Sequence, residues 1–193
     1  DVEREKFAIN KLEYLIDNYK INKFNIDNQL LFDGELDFTN PVKYIYFYFK
    51  PDGTNYGLHQ FDIKKNNNYK IDNKEIVDFN ILVSGNKMFH NNAINDAYFQ
   101  DVTAYQYFIN SLPEGVSSKC FCLYPLKSQP SGSVNFSYLK GKNIRIEFSR
   151  KFMENYFNIN ENINSESLKL NIVAKNYNIL SVHKGKCRII FAS

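Results

Sequence analysis

The 193-residue sequence predicts an all-β protein, an antiparallel sandwich of about eight strands with a short N-terminal helix and several long loops. Apolar runs of strand length recur between turn residues, several of them with a period of two. The chain also holds 17 Phe and 14 Tyr, residue types that favour strands and fill a thick core. No repeat or linker divides it, so a single domain over residues 1–193 is expected.

The first element is predicted to be a helix within residues 3–19, because apolar residues fall there at helical spacing: Leu12, Leu15, Ile16 and Tyr19. Apolar residues then lie among Asn and Lys, and Phe32-Asp33-Gly34 predicts a short strand and turn. The chain begins at Asp1 within a charged run, which indicates a piece of a longer protein.

Residues 42–49 form a dense β-branched and aromatic run between Asn40-Pro41 and the turn Pro51-Asp52-Gly53. This pattern predicts a strand buried on both faces, or one whose outer face meets another chain. Residues 52–74 are mostly polar and predict an extended loop. Residues 76–83 predict a strand closed by the turn Ser84-Gly85-Asn86, and a long irregular stretch follows to residue 115.

The second half predicts further strands. A run around residues 120–123 ends at Pro125. Two runs alternate with a period of two: Ile144, Ile146 and Phe148, and then Leu168, Leu170, Ile172 and Ala174. Residues 179–182 and 187–191 flank Lys184-Gly185, which predicts a hairpin.

The three cysteines, Cys120, Cys122 and Cys187, predict buried free thiols in a reducing compartment. Residues at i and i+2 of a strand share a face but lie nearly two residue rises apart, so a bridge between Cys120 and Cys122 is disfavoured.

Charge and motifs exclude several classes of function. The 24 Lys and Arg against 21 Asp and Glu give a net charge of +3, so there is no electrostatic case for nucleic acid as a direct partner. No apolar stretch approaches transmembrane length. The histidines, His59, His90 and His183, are scattered and fit no metal motif. No nucleophile elbow, Walker loop or dinucleotide fingerprint occurs.

Two local patterns have a functional and a structural interpretation. Asp33, Glu35 and Asp37 alternate along a possible strand edge, which favours a solvated or inter-subunit face over paired acid and base catalysis. Asn135-Phe136-Ser137 fits a glycosylation sequon, but both polar side chains are expected to bond backbone at a strand entry. The residues alone therefore indicate a soluble sandwich for binding or assembly.

Several segments, in order, resemble a known family. They are the charged start Glu3–Ala8 with Glu13–Ile16, Asn40-Pro41-Val42-Lys43, Val83–Phe89, Tyr98-Phe99, Tyr105-Gln106, Gln129–Ser137 and Ala174–Leu180. The most specific, Gln-Pro-Ser-Gly-Ser-Val-Asn-Phe-Ser, matches Q-P-S-G-x-x-N-F-S at every fixed letter. Together they resemble the second, C-terminal jelly-roll of the double jelly-roll major capsid proteins of nucleocytoplasmic large DNA viruses. Departures occur at residues 138–140 and 185–188.

The resemblance assigns structural roles to the motif residues Pro41, Val42, Lys43, Gly85, Gln129, Pro130, Ser131, Gly132, Asn135, Phe136, Ser137, Asn176, Tyr177 and Asn178. Pro130 and Gly132 are expected to set a strand-entry turn, with positive φ at the glycine. The implied fold is an eight-stranded jelly-roll, the second half of a protein whose first jelly-roll is absent from this chain.

The implied function is that of a major capsid protein that builds an icosahedral shell from trimeric, pseudo-hexagonal capsomers. Its partners are then two sister subunits, neighbouring capsomers and minor capsid proteins, with no direct nucleic acid and no membrane span. It has no cofactor, metal or catalytic residue, is made in the host cytoplasm and resides in the virion. The alternatives are a related scaffold protein of immature virions and a carbohydrate-binding or hydrolytic β-sandwich.

Overall fold

The computed structural model describes residues 2–27, 29–51, 76–88, 102–108, 116–124, 126–127, 131–150, 153 and 168–191. In these ranges antiparallel strands form two sheets, with few helical residues, which confirms the predicted all-β class. The helices are α1 (Val2–Ile9) and α2 (Thr103–Tyr107). The strands are β1 (Leu12–Ile26), β2 (Leu31–Glu35), β3 (Pro41–Pro51), β4 (Ile76–Val83), β5 (Asn86–Lys87), β6 (Ser117–Cys120), β7 (Val134–Asn135), β8 (Lys142–Phe148), β9 (Leu168–His183) and β10 (Lys186–Ile189).

Sheet A is built around the long strand β9. Its order is β1-β9-β3-β6, with β7 paired to the start of β3 and β10 paired to the end of β9. β1 pairs with β9 along its whole length, from Leu12 opposite Val182 to Ile26 opposite Leu168. Sheet B has the order β2-β8-β4-β5. Ten strands are thus described where about eight are predicted, because β5 and β7 are only two residues long.

The core lies between the two sheets and is largely aromatic. Phe47 of sheet A stacks on Phe79 of sheet B with ring centroids 4.1 Å apart. Phe49 meets Phe148 edge to face across the same gap, at 5.7 Å. The predicted alternation in β8 and β9 is confirmed, since every second residue is buried: Ile144, Ile146, Phe148, Leu168, Leu170, Ile172 and Ala174. The period of two places these side chains on the inner faces.

Strand β3 is covered on both faces, as its dense apolar run predicts. Its inner residues, such as Ile45 and Phe47, belong to the core. On the outer face the rings of Tyr44 and Tyr46 pack against Phe108, which follows α2, with centroids 5.4 and 5.8 Å away. The described segment at α2 therefore covers part of the outer face of sheet A.

The predicted helix over residues 3–19 is wrong beyond residue 9, because the chain enters β1 at Leu12. Its apolar spacing also suits an edge strand whose outer residues stay exposed, among them Leu15 and Tyr19. The inner face of β1 carries the polar residues Asn18, Lys20 and Asn22, which hide the period-two pattern. Pairing with β9 satisfies the backbone over all 15 residues, and this tertiary contact outweighs the local periodicity.

Three smaller expectations also need correction. Gly34 lies inside β2 and forms no turn, because its backbone pairs with Ile144. Cys187 is exposed on β10, although Cys120 and Cys122 are buried free thiols as predicted. Burial raises the pKa of the Cys120 thiol to about 12, which makes it unreactive near neutral pH. The stretch predicted as irregular up to residue 115 contains α2.

Some expectations from the sequence concern residues outside the described ranges. The predicted loop over residues 52–74 lies there entirely, as do His59 and His90. No helix in the described part of the chain is both long and apolar enough to cross a membrane.

Candidate functional site

Three of the sequence motifs, far apart along the chain, meet at the start of β3. Pro41 pairs with Asn135 and Val42 with Val134, through the short strand β7. On its other side Val42 pairs with Asn176 of β9. We call this meeting point, formed by residues 40–43, 131–137 and 176–178, the motif junction.

Side chains of the sequon segment close the turn before β3. Asn40, with a φ of 67°, donates its backbone N–H to Ser137 Oγ at 2.8 Å. The backbone N–H of Ser137 in turn donates to Asn135 Oδ1 at 3.0 Å. Phe136 donates its own N–H to the carbonyl of Asn40 at 3.0 Å. The expectation that Asn135 and Ser137 bond backbone at a strand entry is confirmed.

Phe136 anchors the motif junction in the core. Its side chain is fully buried and lies edge to face with Phe38, at 6.2 Å, and with Phe121, at 5.8 Å. Burial of a Phe side chain contributes about 2 kcal/mol. Phe136, the aromatic residue of the motif, therefore packs in the core, and its polar neighbours Asn135 and Ser137 form hydrogen bonds with backbone groups.

Ser131 and Gly132 hold the loop between β6 and β7. Ser131 Oγ accepts the backbone N–H of Tyr124 at 3.0 Å, and its carbonyl accepts that of Leu123 at 3.1 Å. Gly132 has a φ of 109°, as the expected turn requires, and a Cβ there would lie 3.5 Å from the carbonyl oxygen of Phe121. Gln129 and Pro130 lie outside the described residues.

Two buried asparagines of β9 complete the motif junction. Asn178 donates from Nδ2 to the carbonyl of Phe191 at 2.9 Å and accepts the Phe191 N–H at Oδ1 at 3.3 Å. It thereby binds the segment after β10 as a paired strand would. Asn176 donates from Nδ2 to the carbonyl of Thr39 at 3.3 Å.

Lys43 places a fully buried charge next to the motif junction, where β3 bulges between Val42 and Tyr44. Its Nζ donates to Asp17 Oδ1 at 3.1 Å and to the carbonyl of Lys127 at 3.0 Å. The same Nζ lies 4.8 Å from the ring centroid of Tyr177. The side chain thus joins β3, β1, β9 and the loop after β6.

Asp17 is shared between two lysines, since Lys175 Nζ lies 2.9 Å from its other oxygen. Burial by itself raises the pKa of Asp17, but hydrogen bonds from Lys175 and Lys43 outweigh it and hold that pKa below the ordinary value. Burial acts to lower the pKa of Lys175, and its bond to Asp17 raises it overall. Asp17 and Lys175 therefore stay charged at neutral pH, which suits a brace between strands and not proton transfer.

The acidic residues of β2 and the following turn lie exposed on one side of sheet B. Asp33 accepts from Arg145 and from Asn143, both at 2.7 Å, and these contacts lower its pKa although burial alone raises it. Asp37 forms an ion pair with Lys20. The arrangement matches a solvated or inter-subunit face. Among the described residues no group of three or more His, Cys, Asp and Glu could hold a metal ion.

Gly85 stands apart from the motif junction. It has a φ of 81° and follows Ser84, at 51°, in the turn between β4 and β5. Ser84 bonds the carbonyl of Lys140, so this turn is fixed against the start of β8. The motif therefore stabilises sheet B.

The exposure of several apolar side chains was not predicted from the sequence. The described part of the chain exposes sixteen large hydrophobic residues. They include Leu15, Tyr19 and Ile21 along β1, Leu123, Tyr124 and Leu126 in the loop after β6, and Tyr138 in the turn before β8. Assigning residues 12–19 to a helix concealed the first group.

Comparisons with known proteins give a consistent result. The family model described as "Large eukaryotic DNA virus major capsid protein" matches residues 3–187. The major capsid protein of Paramecium bursaria Chlorella virus 1 is 29% identical over 106 residues, which cover 50% of this chain and 24% of that protein. The major capsid protein of Phaeocystis pouchetii virus is 27% identical over 88 residues, covering 46% and 15%.

Solved structures give the same fold. In the quasi-atomic model of the Chlorella virus PBCV-1 capsid, a chain superposes with a TM-score of 0.72 at 22% identity, covering 100% of this chain and 54% of that one. The Faustovirus major capsid protein superposes with a TM-score of 0.62 at 15% identity, covering 88% and 34%. The present chain thus spans about half the length of the PBCV-1 capsid chain.

Proposed function

Given that the chain belongs to the large eukaryotic DNA virus major capsid protein family, we propose that it is the second of two jelly-rolls in a capsid subunit. Three such subunits form a pseudo-hexagonal capsomer, and capsomers and minor capsid proteins form an icosahedral shell. The family match over residues 3–187 is the observation that carries this proposal. Coverage of 54% of a capsid chain supports the placement as one half of a longer protein.

The surface supports a role in assembly. Monomeric soluble proteins rarely expose large contiguous apolar patches, whereas subunit interfaces are enriched in aromatic residues. Here exposed apolar side chains occur as groups on the edge strand β1 and on the loop after β6. These groups are exposed in the isolated chain, and sister subunits would cover them in the shell.

We assign the chain no catalytic role, metal or cofactor. The described carboxylates that alternate along β2 are exposed, and Asp33 is held by Arg145 and Asn143. The Asp17 carboxylate is held by two lysines. These contacts lower the pKa of Asp33 and of Asp17, so neither of these two carboxyls exchanges a proton near neutral pH. Synthesis in the host cytoplasm and residence in the virion follow from the capsid role.

Quantitative mass spectrometry of purified mature particles and of immature particles tests this function. A major capsid subunit is expected as one of the most abundant proteins of mature particles, within a polypeptide about twice as long as this chain. Presence in immature particles only would establish the scaffold alternative. Absence from both, together with binding on a glycan array, would establish the carbohydrate-binding alternative.

A further inference from the structure

The hairpin formed by β9 and β10 is exposed and basic where the two strands meet at the turn. Between Leu168 and Phe191 the sequence contains no Asp or Glu. His183, Lys184, Lys186 and Arg188 are all exposed, and no ion pair reaches them in the described part of the structure. We call His183–Arg188 the basic hairpin.

Apolar side chains accompany these charges. Arg188 pairs with Ser181 and Lys186 with His183, so the charged side chains of Lys186 and Arg188 share one face of the two strands. Ile189 lies on the opposite face and is 43% exposed, and Phe191 just beyond it is 47% exposed. Because β10 pairs only with β9 among the described strands, a partner at its free edge would meet both faces and would therefore present negative charge next to apolar surface.

The outer face of sheet B has the complementary character. Glu35 on β2 and Glu147 on β8 are exposed and form no ion pair in the described part of the chain, although Lys142 lies close enough to Glu35 to interact with it electrostatically. Leu31 lies directly opposite Glu147 and is 50% exposed. Asp33, between them, is already neutralised by Arg145 at 2.7 Å. We call Leu31, Glu35 and Glu147 the acidic edge.

We propose that the basic hairpin of one copy of this chain docks on the acidic edge of a second copy. The inference deepens the proposed capsid function and depends on it, because it names surfaces through which subunits associate. Charge complementarity steers and orients such contacts, and the apolar side chains on both sides supply affinity. Two different patches of one chain meet, so the contact is heterologous and can close into a ring or extend into an array.

Two charge-reversed variants test the proposal. The hairpin variant is Lys186→Glu with Arg188→Glu, and the edge variant is Glu35→Lys with Glu147→Lys. Each variant alone brings like charges together and should associate on the order of tenfold more weakly than wild type at low salt. In an equal mixture the acidic hairpin faces a basic edge, and the basic hairpin of the other variant faces an acidic edge. The mixture should therefore recover wild-type association.

Sedimentation velocity over a concentration series measures these associations, and thermal melting verifies that each variant is folded. The matched control, Arg4→Glu with Lys140→Glu, makes the same change in net charge at exposed positions outside the hairpin, the acidic edge, β1 and the loop after β6, and should associate like wild type. Wild-type association should also weaken at high salt.

Three results would overturn the proposal: variants that associate like wild type, a mixture as weak as its components, or a wild-type chain that does not associate at low salt. Weakening by the hairpin variant alone, with the edge variant unaffected, would point to an anionic lipid or nucleic acid and would also overturn it. None of these results touches the capsid function, which particle composition tests independently.

Discussion

At the scale of single residues, the motif residues at the start of β3 have two roles. Some form hydrogen bonds with backbone groups, and others pack in the core. Ser137 and Asn135 accept backbone N–H groups, while Phe136 fills the core between Phe38 and Phe121. Gly132 allows a backbone conformation that other residues rarely adopt. The sequence motif pointed to these residues. It did not predict the burial of Lys43, because that burial depends on a contact with Asp17, 26 residues away along the chain.

Gly132→Val is expected to destabilise the chain by about 1–3 kcal/mol, because a β-branched residue is strained at a φ of 109°. Urea unfolding measures the change. Ser133→Val, at the exposed neighbouring residue without positive φ, is the control and should change stability little. Equal stability of the Gly132 variant and wild type would refute the turn assignment.

Asp17→Asn should lower the free energy of unfolding more than Lys43→Met does, although the two changes break the same contact. The first leaves the Lys43 charge fully buried without a carboxylate, at a cost of about 3 kcal/mol. The second removes that charge, and Asp17 keeps Lys175, so about 1 kcal/mol is expected. Asp33→Asn is the control, because its partner Arg145 is 42% exposed and the loss should stay below about 1 kcal/mol. The reverse order of costs in urea unfolding would contradict the buried-charge account.

At the scale of elements, β3, β4, β8, β9 and the final hairpin were predictable because their inner faces alternate or their whole run is apolar. β1 was not predictable, since polar residues occupy much of its inner face and apolar ones its outer face. Its strand state comes from pairing with β9, which only the folded chain provides. The brace from Asp17 to Lys43 adds a second link, from β1 past β9 to β3.

Cysteines placed in register should cross-link β1 to β9. Leu15 lies directly opposite Ile179, and directly opposed residues of an antiparallel pair bring their Cβ atoms to about 5 Å. In a Cys187→Ser background, Leu15→Cys with Ile179→Cys should oxidise to a disulfide, detected by intact mass before and after reduction. Ile16→Cys with Ile179→Cys, shifted by one residue to the other face, should not. A disulfide in the shifted variant alone would contradict the register.

Acid should weaken the link between β1 and β3. The pKa of Asp17 is lowered from 3.8 in the folded chain, so its stabilisation is present above that value and is lost as pH falls through the lower folded pKa. The stability difference between wild type and Asp17→Asn should therefore be constant near neutral pH and shrink below about pH 4. Urea unfolding across pH measures it. A difference that grows in acid would contradict the sign.

At the scale of the whole molecule, two sheets close a largely aromatic core and leave apolar side chains on β1 and on the loop after β6 exposed. Under the proposed capsid role, these surfaces are the expected contacts between subunits. Exposed surface could not be predicted from the sequence, because whether an apolar residue is covered depends on which strands and loops pack beside it.

Near physiological salt the isolated chain is expected to be a folded monomer or a weak oligomer, because under the proposed placement it lacks the contacts that the first jelly-roll would supply. Static light scattering over a concentration series measures its mass. A tight closed trimer at micromolar concentration would contradict this expectation.

The central claim is that this sandwich forms part of the capsid shell and contacts sister subunits through its exposed apolar surfaces. Its most direct test is a cryo-EM reconstruction of purified particles that resolves side chains in the shell. The account predicts that each subunit contains this chain's sandwich once, as the second of its two jelly-rolls, so that a capsomer holds three copies, with β1 and the loop after β6 covered by neighbouring chains. A shell that lacks this fold, or one in which those surfaces face solvent in every subunit, would contradict it.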